Sequence, residues 1–189
     1  GVRTVPLEHK DQYPLGLLAA VLGGGMSSRL FHEVREKRGL AYYVRTSSDH
    51  YSDCGSLVSV AGVDPKRVEE AITVILEQYH GISNFQFPIS NDELNKAKEF
   101  LKGHFVLELE DSRAVAGFFG SQELLEKKID TPEEIIEKIK KVTIEEVQDV
   151  AKRYFVNKGL NLAAIGKFPN PSARSGLGSG QRFEKLLKL

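Results

Sequence analysis

The sequence has a single cysteine, Cys54, and no tryptophan among its 189 residues. One thiol excludes an internal disulfide framework and is compatible with a reducing compartment. No apolar run approaches the roughly 20 residues that a membrane-spanning helix needs, and the first residues contain no hydrophobic signal-peptide region. We therefore expect a soluble protein, compatible with the cytoplasm, whose compartment is otherwise unassigned and whose partners include no membrane.

The chain also lacks a charge excess of either sign, since 26 Lys and Arg residues balance 26 Asp and Glu residues. A balanced chain has no broad basic field to attract nucleic acid or an anionic membrane, so we expect no nucleic-acid partner. The apolar content of 41% in 189 residues is enough for one sizeable core. The composition therefore predicts a single domain over residues 1–189.

Three consecutive glycines, residues 23–25, open the most informative segment of the chain. Glycine adopts a positive φ readily, so this run is suited to end the apolar helix that precedes it. Ser27 or Ser28 is then placed to cap a charged helix over about residues 29–38, and Gly39 is placed to end it. A phosphate-binding loop is disfavoured, because no strand precedes the glycines and no Gly-Lys-Ser/Thr follows them.

Strand-forming residues are frequent in residues 41–51 and again in residues 57–63. Asp53 and Gly55 lie between the two runs and are typical turn residues. We therefore predict an antiparallel β-hairpin. A short apolar run bounded by glycines, residues 159–166, predicts one further buried strand.

Most of the remaining sequence predicts helices. Three capping boxes, in which Ser or Thr is followed three residues later by Glu, each mark a helix start: Ser90 with Glu93, Thr131 with Glu134, and Thr143 with Glu146. Asp64 and Pro65 mark another start, and breaks are expected near residues 111–112 and 117–120. The Gly- and Ser-rich residues 169–181 predict a flexible linker within the domain.

Residues 22–44, which read LGGGMSSRLFHEVREKRGLAYYV, resemble the second-domain motif of the pitrilysin and insulinase family of zinc metallopeptidases. That family includes the mitochondrial processing peptidases. The similarity continues through residues 131–134, 142–155 (VTIEEVQDVAKRYF) and 160–166 (LNLAAIG), and so covers most of the chain. The resemblance implies an α+β fold, with an antiparallel sheet backed by helices, in which paired domains enclose a peptide substrate.

The resemblance also implies a division of labour within each pair. The first domain carries zinc in an HxxEH motif, and the second supplies an arginine and a tyrosine seven residues apart, which here fall on Arg35 and Tyr42. This chain is thus expected to hold no cofactor, to rely on zinc in an HxxEH-bearing partner domain or subunit, and to be inactive in isolation. The family pattern also includes a strand and a loop ahead of the helix that contains residues 17–22. Only residues 10–14 separate that helix from residues 2–5.

The chemistry of peptide hydrolysis explains why these two residue types matter. Attack of an activated water places negative charge on the carbonyl oxygen, and a preset hydroxyl donor such as Tyr42 lowers that barrier. The guanidinium of Arg35 stays charged and offers a rigid fork of N–H groups to substrate carbonyls. Without the family spacing the assignment is open, because other cations and another tyrosine lie nearby: Arg29, Lys37, Arg38 and Tyr43.

None of the five histidines begins an HxxEH motif. The nearest approach starts at His32, where Glu36 takes the place of the second histidine, and two ligands do not make a catalytic zinc site. We interpret His32 and Glu36 as an i,i+4 surface pair. Cys54 has no basic cluster to activate it, and His104 lies in an apolar-periodic helix, so both are interpreted as structural or surface residues.

Three functions follow from these observations. The first is the substrate-clamping, transition-state-stabilising half of a zinc-dependent metalloendopeptidase. The second is a non-catalytic scaffold or assembly subunit of the same family, which would not need Arg35 or Tyr42. The third is a stand-alone peptide-binding module, which ranks lowest because half of an enclosing chamber is a poor binding site.

Overall fold

Three antiparallel strands form the sheet in the part of the chain that the structure describes. The structure is a computed structural model, and it describes residues 1–167 and 186–187. The strands are β1 (Val2–Thr4), β2 (Ala41–His50) and β3 (Gly55–Val63), in the spatial order β1-β3-β2. β2 and β3 pair antiparallel along most of their length. The predicted hairpin is therefore confirmed.

Helices make up most of the rest. They are α1 (Gln12–Gly23), α2 (Val68–Ser83), α3 (Asn91–Glu108), α4 (Ser112–Leu125), α5 (Pro132–Lys141) and α6 (Ile144–Tyr154). A short π-helix, here called the π segment, spans Phe31–Glu36, and a 3₁₀ turn spans Asn157–Gly159. The expected α+β class, with an antiparallel sheet backed by helices, is confirmed. None of the helices in the described ranges combines the length and the apolarity that crossing a membrane requires.

All three predicted capping boxes are present. In each, the Ser or Thr side chain accepts a hydrogen bond from the backbone N–H of the glutamate, whose carboxylate accepts from the backbone N–H of the capping residue. These boxes start α3, α5 and α6. The predicted break near residues 111–112 is also confirmed, because Asp111 caps the start of α4 by accepting a hydrogen bond from the backbone N–H of Arg113.

α1 lies at the centre of the core. It packs on β2, α3 and α6. Its leucines are fully buried, which is typical of a helix that is apolar on every side: Leu15, Leu17, Leu18 and Leu22. The helix is fixed at its first turn, where buried Asp11 accepts hydrogen bonds from Arg153 and Tyr154 at the end of α6.

The glycine run at the end of α1 does not adopt the predicted positive φ. Gly24 has an ordinary right-handed conformation, with φ −76°. Gly23 is required by close packing, because a Cβ at this position would overlap the backbone nitrogen of Thr46 on β2. Among the described residues, neither predicted serine caps the following helix with its side chain. The Ser28 hydroxyl instead donates to the carbonyl of Gly25 at 2.6 Å.

Two helix boundaries differ from the sequence prediction. α4 runs without a break through residues 117–120, because the penalty for glycine inside a helix is only about 1 kcal/mol per residue. α2 begins at Val68, three residues after Pro65. Asp64 accepts a hydrogen bond from the backbone N–H of Lys66 at 2.9 Å, and this local turn delays the helix.

The predicted strand over residues 159–166 is wrong. Leu160 forms an isolated bridge with Val2, and Gly1 and Asn161 exchange two backbone hydrogen bonds of 2.8 Å. Beyond Asn161 no neighbouring strand is available in the described structure, so Ile165 is fully exposed. No strand occurs between β1 and α1 either, and the predicted linker over residues 169–181 lies outside the described residues.

Candidate functional site

Arg35 lies in a local irregularity of the backbone. The π segment is defined by wide hydrogen bonding, in which the backbone N–H of Lys37 donates to the carbonyl of His32, five residues earlier, at 2.9 Å. π-helical turns are rare and are frequently found at functional sites. The side chain of Arg35 is exposed to solvent. The regular α-helix predicted for residues 29–38 is therefore replaced by a wider turn around Arg35.

Gly39 reverses the chain between the π segment and β2. Its φ of +56° is in the left-handed region, which glycine adopts without steric cost. The backbone N–H of Gly39 donates to the carbonyl of Arg35 at 3.0 Å, and that of Leu40 donates to the carbonyl of Val34 at 2.8 Å. Leu40 and Val34 are both buried. These contacts fix the start of β2 against the end of the π segment.

Tyr42 is the extra residue of a β-bulge. In the ladder between β2 and β3, Ala41 pairs with Val63 and Tyr43 pairs with the adjacent Gly62, so Tyr42 has no partner. Bulges expose the unpaired residue and often occur beside active sites. Tyr42 is accordingly 88% exposed.

The bulge also separates the two neighbouring tyrosines. Regular strand alternation would leave only one of them on a given face. Both are exposed, but Tyr43 is 48% exposed and lies against Gly62, where a Cβ would overlap its ring. Tyr43 therefore packs on the sheet, and Tyr42 projects freely.

The four cations of the motif differ in what they contact. Arg29 is largely buried, donates twice to the carboxylate of Glu93 at 2.7 and 2.9 Å, and also donates to the carbonyls of Phe87 and Pro88. Burial alone would raise the pKa of Glu93, but the bonds from Arg29 and from the backbone of Ser90 lower it. Arg29 is thus a structural tie between the motif and the start of α3.

Lys37 and Arg38 share one carboxylate. Lys37 donates to Glu33 at 2.6 Å, and Arg38 donates to the other carboxylate oxygen at 2.6 Å and to the backbone carbonyl of Glu33 at 2.9 Å. The bond from Lys37, opposed by partial burial and supported by Arg38, holds the pKa of Glu33 below its usual value. Both cations are therefore engaged within the protein.

Arg35 has no such partner. Its side chain makes no hydrogen bond or ion pair with the described residues, and its guanidinium lies over the ring of Phe31, 4.7 Å from the centroid. Tyr42 likewise makes no side-chain hydrogen bond within the described ranges, and no bond joins the two side chains. All donors of both groups are consequently available to another molecule. The motif spacing did not indicate that Phe31 contacts Arg35 or that Gly62 lies opposite the bulge at Tyr42. A glycine inside a strand does, however, often mark a bulge.

Neither Arg35 nor Tyr42 is among the described residues that line the cavities near the motif. A polar cleft of about 610 Å³ lies between the π segment, α2 and the start of α3. A larger, mainly apolar groove of about 860 Å³ follows β3 and is bordered by Tyr43 and α2. The two free side chains instead project from the surface of this domain.

The other candidate residues make ordinary contacts. His32 and Glu36 form the i,i+4 pair that their spacing predicts, with 2.8 Å between Nδ1 and Oε2, and both are exposed. Residues 1–167 and 186–187 contain no group of three or more His, Cys, Asp or Glu side chains that could hold a metal ion. The neighbouring Asp53 raises the pKa of the exposed Cys54 thiol, which disfavours the reactive thiolate. His104 packs on Phe100 and faces solvent.

Comparisons with known proteins show which proteins this chain is similar to. A family model described as "Peptidase M16 inactive domain" matches residues 1–101. The chain is 37% identical over 175 residues to the "Uncharacterized zinc protease Rv2782c" of Mycobacterium tuberculosis (strain H37Rv), which covers 93% of this chain and 39% of that protein. The chain thus spans about two fifths of the length of such curated relatives.

Solved structures show the same fold. A conserved protein from Enterococcus faecalis V583 aligns with a TM-score of 0.70 at 29% identity, over 81% of this chain and 36% of that one. A chain of Complex III2 from Candida albicans aligns with a TM-score of 0.74 at 23% identity, over 82% of this chain and 39% of that one.

Proposed function

Because this chain belongs to the peptidase M16 inactive-domain family, we propose that it is the substrate-clamping, transition-state-stabilising half of a zinc-dependent metalloendopeptidase. Relatives with the name zinc protease are longer than this chain, which matches 39% of their length. The proposal places zinc and the HxxEH motif in a partner domain or subunit of the same family. The substrate is a peptide enclosed between the two halves.

One observation carries the proposal. Arg35 is the cation of the motif that forms no hydrogen bond or ion pair within the described residues, and it precedes, across one glycine turn, a phenol that is equally free. Two backbone irregularities, the π segment and the β-bulge, present these side chains. Because they project from the surface and line none of the cavities that the described residues form near the motif, a second surface is needed to complete a site.

The chemistry assigns different tasks to the two side chains. The partner's zinc would supply an activated water for attack on the scissile carbonyl. The Tyr42 hydroxyl donates a hydrogen bond to the oxygen on which negative charge develops, and so stabilises the transition state more than the substrate. The Arg35 guanidinium binds backbone carbonyls of the peptide before and during the reaction, which holds the substrate in place.

Turnover of the reconstituted enzyme tests this assignment. With the HxxEH partner supplied, we expect Tyr42→Phe to lower kcat on the order of 10²- to 10³-fold, as loss of one oxyanion donor does. We expect Arg35→Ala to lower kcat/KM about 10- to 100-fold, mainly through KM, as loss of hydrogen bonds to a charged group does.

Matched controls separate these effects from damage to the fold. Tyr43→Phe removes the hydroxyl of the packed neighbour, and Arg113→Ala removes an exposed arginine on α4. Both should leave kcat and KM near the wild-type values. Wild-type kinetics in Tyr42→Phe and Arg35→Ala as well would refute the proposal.

That last outcome favours the second candidate, a non-catalytic scaffold or assembly subunit. Its support is the likeness in fold to a chain of a Complex III2 structure. A scaffold needs neither free donor, so the two candidates differ in the kinetics of the same two variants.

A further inference from the structure

The exposed guanidinium of Arg35 has a fixed aromatic surface beneath it. Its central carbon lies 4.7 Å from the centroid of the Phe31 ring. Phe31 is half-buried and packs against the main hydrophobic core. A cation at this distance from a ring face is attracted by the electrons of the ring. The ring is anchored by the core, whereas the guanidinium that rests on it faces solvent.

An aromatic face holds a guanidinium in a different way from a carboxylate. Glu93 and Glu33 fix Arg29 and Arg38 by accepting their N–H groups. Those groups are then no longer available to a ligand. The ring of Phe31 has no nitrogen or oxygen atom to accept an ordinary hydrogen bond from Arg35. The guanidinium is therefore restrained while its five donors remain free.

The carboxylates beside Arg35 in the π segment bind other side chains, so the ring of Phe31 is the contact that restrains its guanidinium. The nearest carboxylates along the π segment are engaged elsewhere, since Glu33 binds Lys37 and Arg38, and Glu36 binds His32. Without the ring, the long Arg35 side chain would sample many rotamers, and ordering it on binding would cost conformational entropy.

We propose that Phe31 is a positioning residue for Arg35, holding the guanidinium in the orientation in which it binds the backbone carbonyls of the substrate. The contact is a property of this chain, but its effect on turnover rests on the proposed function. Substrate affinity then depends on the aromatic ring at position 31, and the chemical step does not.

Kinetics of the reconstituted enzyme distinguish positioning from a merely structural contribution. Phe31→Leu keeps an apolar side chain but removes the ring. We expect KM to rise about 2- to 5-fold, which corresponds to the free energy of an exposed cation–π contact, while kcat stays nearly unchanged. Phe31→Tyr keeps the ring and should restore KM. A loss of folded protein would instead lower apparent kcat and leave KM unchanged.

A double-mutant cycle removes the remaining ambiguity. If Phe31 acts through Arg35, then Phe31→Leu should have no further effect on KM in the Arg35→Ala background. Equal effects of Phe31→Leu in both backgrounds would overturn the proposal, as would a rise in KM that Phe31→Tyr does not restore.

A spectroscopic measurement on the isolated chain is independent of activity. The protons at Cδ and Nε of Arg35 should show upfield ring-current shifts in wild type and Phe31→Tyr, and ordinary shifts in Phe31→Leu. Ordinary shifts in wild type would overturn the positioning proposal and leave the proposed function standing. Ring-current shifts together with unchanged turnover in Arg35→Ala would refute the function and leave the contact standing.

Discussion

At the scale of single residues, contacts with other parts of the chain determine which side chains of the motif remain free to bind another molecule. The cation at position 29 is occupied because Glu93, 64 residues away, reaches it. Arg35 is free because no carboxylate of the described residues reaches it, and Tyr42 is exposed at a bulge that leaves it without a partner in the ladder. Residue type alone does not distinguish Arg29, Arg35 and Arg38, since all three carry the same charge and the same five donors.

Gly23 is a residue whose replacement tests the packing directly. In Gly23→Ala, the new Cβ would overlap the Thr46 nitrogen and lie 2.9 Å from the carbonyl carbon of Arg45. Backbone atoms cannot move aside as a side chain can, so we expect a loss of about 1–3 kcal/mol in the free energy of unfolding. Urea denaturation measures this change.

Gly117→Ala is the matched control. Gly117 lies inside α4, and a Cβ there meets open space. Alanine should therefore stabilise the helix by about 0.5–1 kcal/mol. Opposite signs for the two substitutions are expected, and stabilisation by Gly23→Ala would contradict the close approach of α1 to β2.

At the scale of elements, charged contacts join helices that are distant in sequence. Asp11, just before α1, accepts bonds of 2.7 and 3.0 Å from Arg153 and 2.9 Å from Tyr154 at the end of α6. Burial, reinforced by the bond to Asp11, raises the pKa of Tyr154 to about 12, so its hydroxyl remains a donor at neutral pH. This cluster fixes the central helix at its first turn.

The stability that Asp11 contributes should depend on pH. Burial alone would raise the pKa of Asp11, but the hydrogen bonds from Arg153 and Tyr154 outweigh it, so the folded-state pKa is lowered. As the pH falls, the unfolded state binds this proton first, near pH 4. The contribution is therefore full above that pH and is lost as the pH falls through the folded-state pKa.

Asp11→Asn isolates this contribution. At neutral pH we expect it to lower the free energy of unfolding by about 1–2 kcal/mol, since half-exposed Arg153 is partly screened by water. The difference from wild type should shrink below about pH 4. Urea titrations between neutral and acidic pH measure it, with the exposed Asp49→Asn as control. A difference that stays constant with pH would argue against the ion pair.

At the scale of the whole molecule, the described residues provide no ligand set of the kind that holds a catalytic zinc ion. His32 and Glu36 form an exposed pair, and no group of three or more potential zinc ligands occurs among the described residues. A catalytic zinc site takes three protein ligands. We therefore expect no stoichiometric zinc uptake after dialysis and no peptidase activity when zinc is added.

Metal analysis by mass spectrometry checks this expectation. Retention of one zinc per chain, abolished by His32→Ala, would contradict it. Affinity of the isolated chain for unfolded peptides, measured by isothermal titration calorimetry, would instead favour the stand-alone peptide-binding module.

The predictions that failed concern segments whose secondary structure is not determined by the local sequence pattern alone. The apolar residues 159–166 have the composition of a strand, yet pairing ends at Asn161 because a strand requires a neighbour. The glycines of α4 look like a helix break, and the glycines after α1 look like a left-handed cap. The glycines of α4 remain helical because the helix penalty of glycine is only about 1 kcal/mol. Gly23 lies against β2, and Gly24 and Gly25 lie against Phe100 of α3.

The sequence by itself determined the family motif, the hairpin and all three capping boxes, because each depends on residues that are close in the chain and on local hydrogen bonds. Only the tertiary structure decided which cation of the motif stays free and which tyrosine projects. Those outcomes depend on Glu93 and Gly62, which folding brings from distant segments to Arg29 and to the bulge at Tyr42.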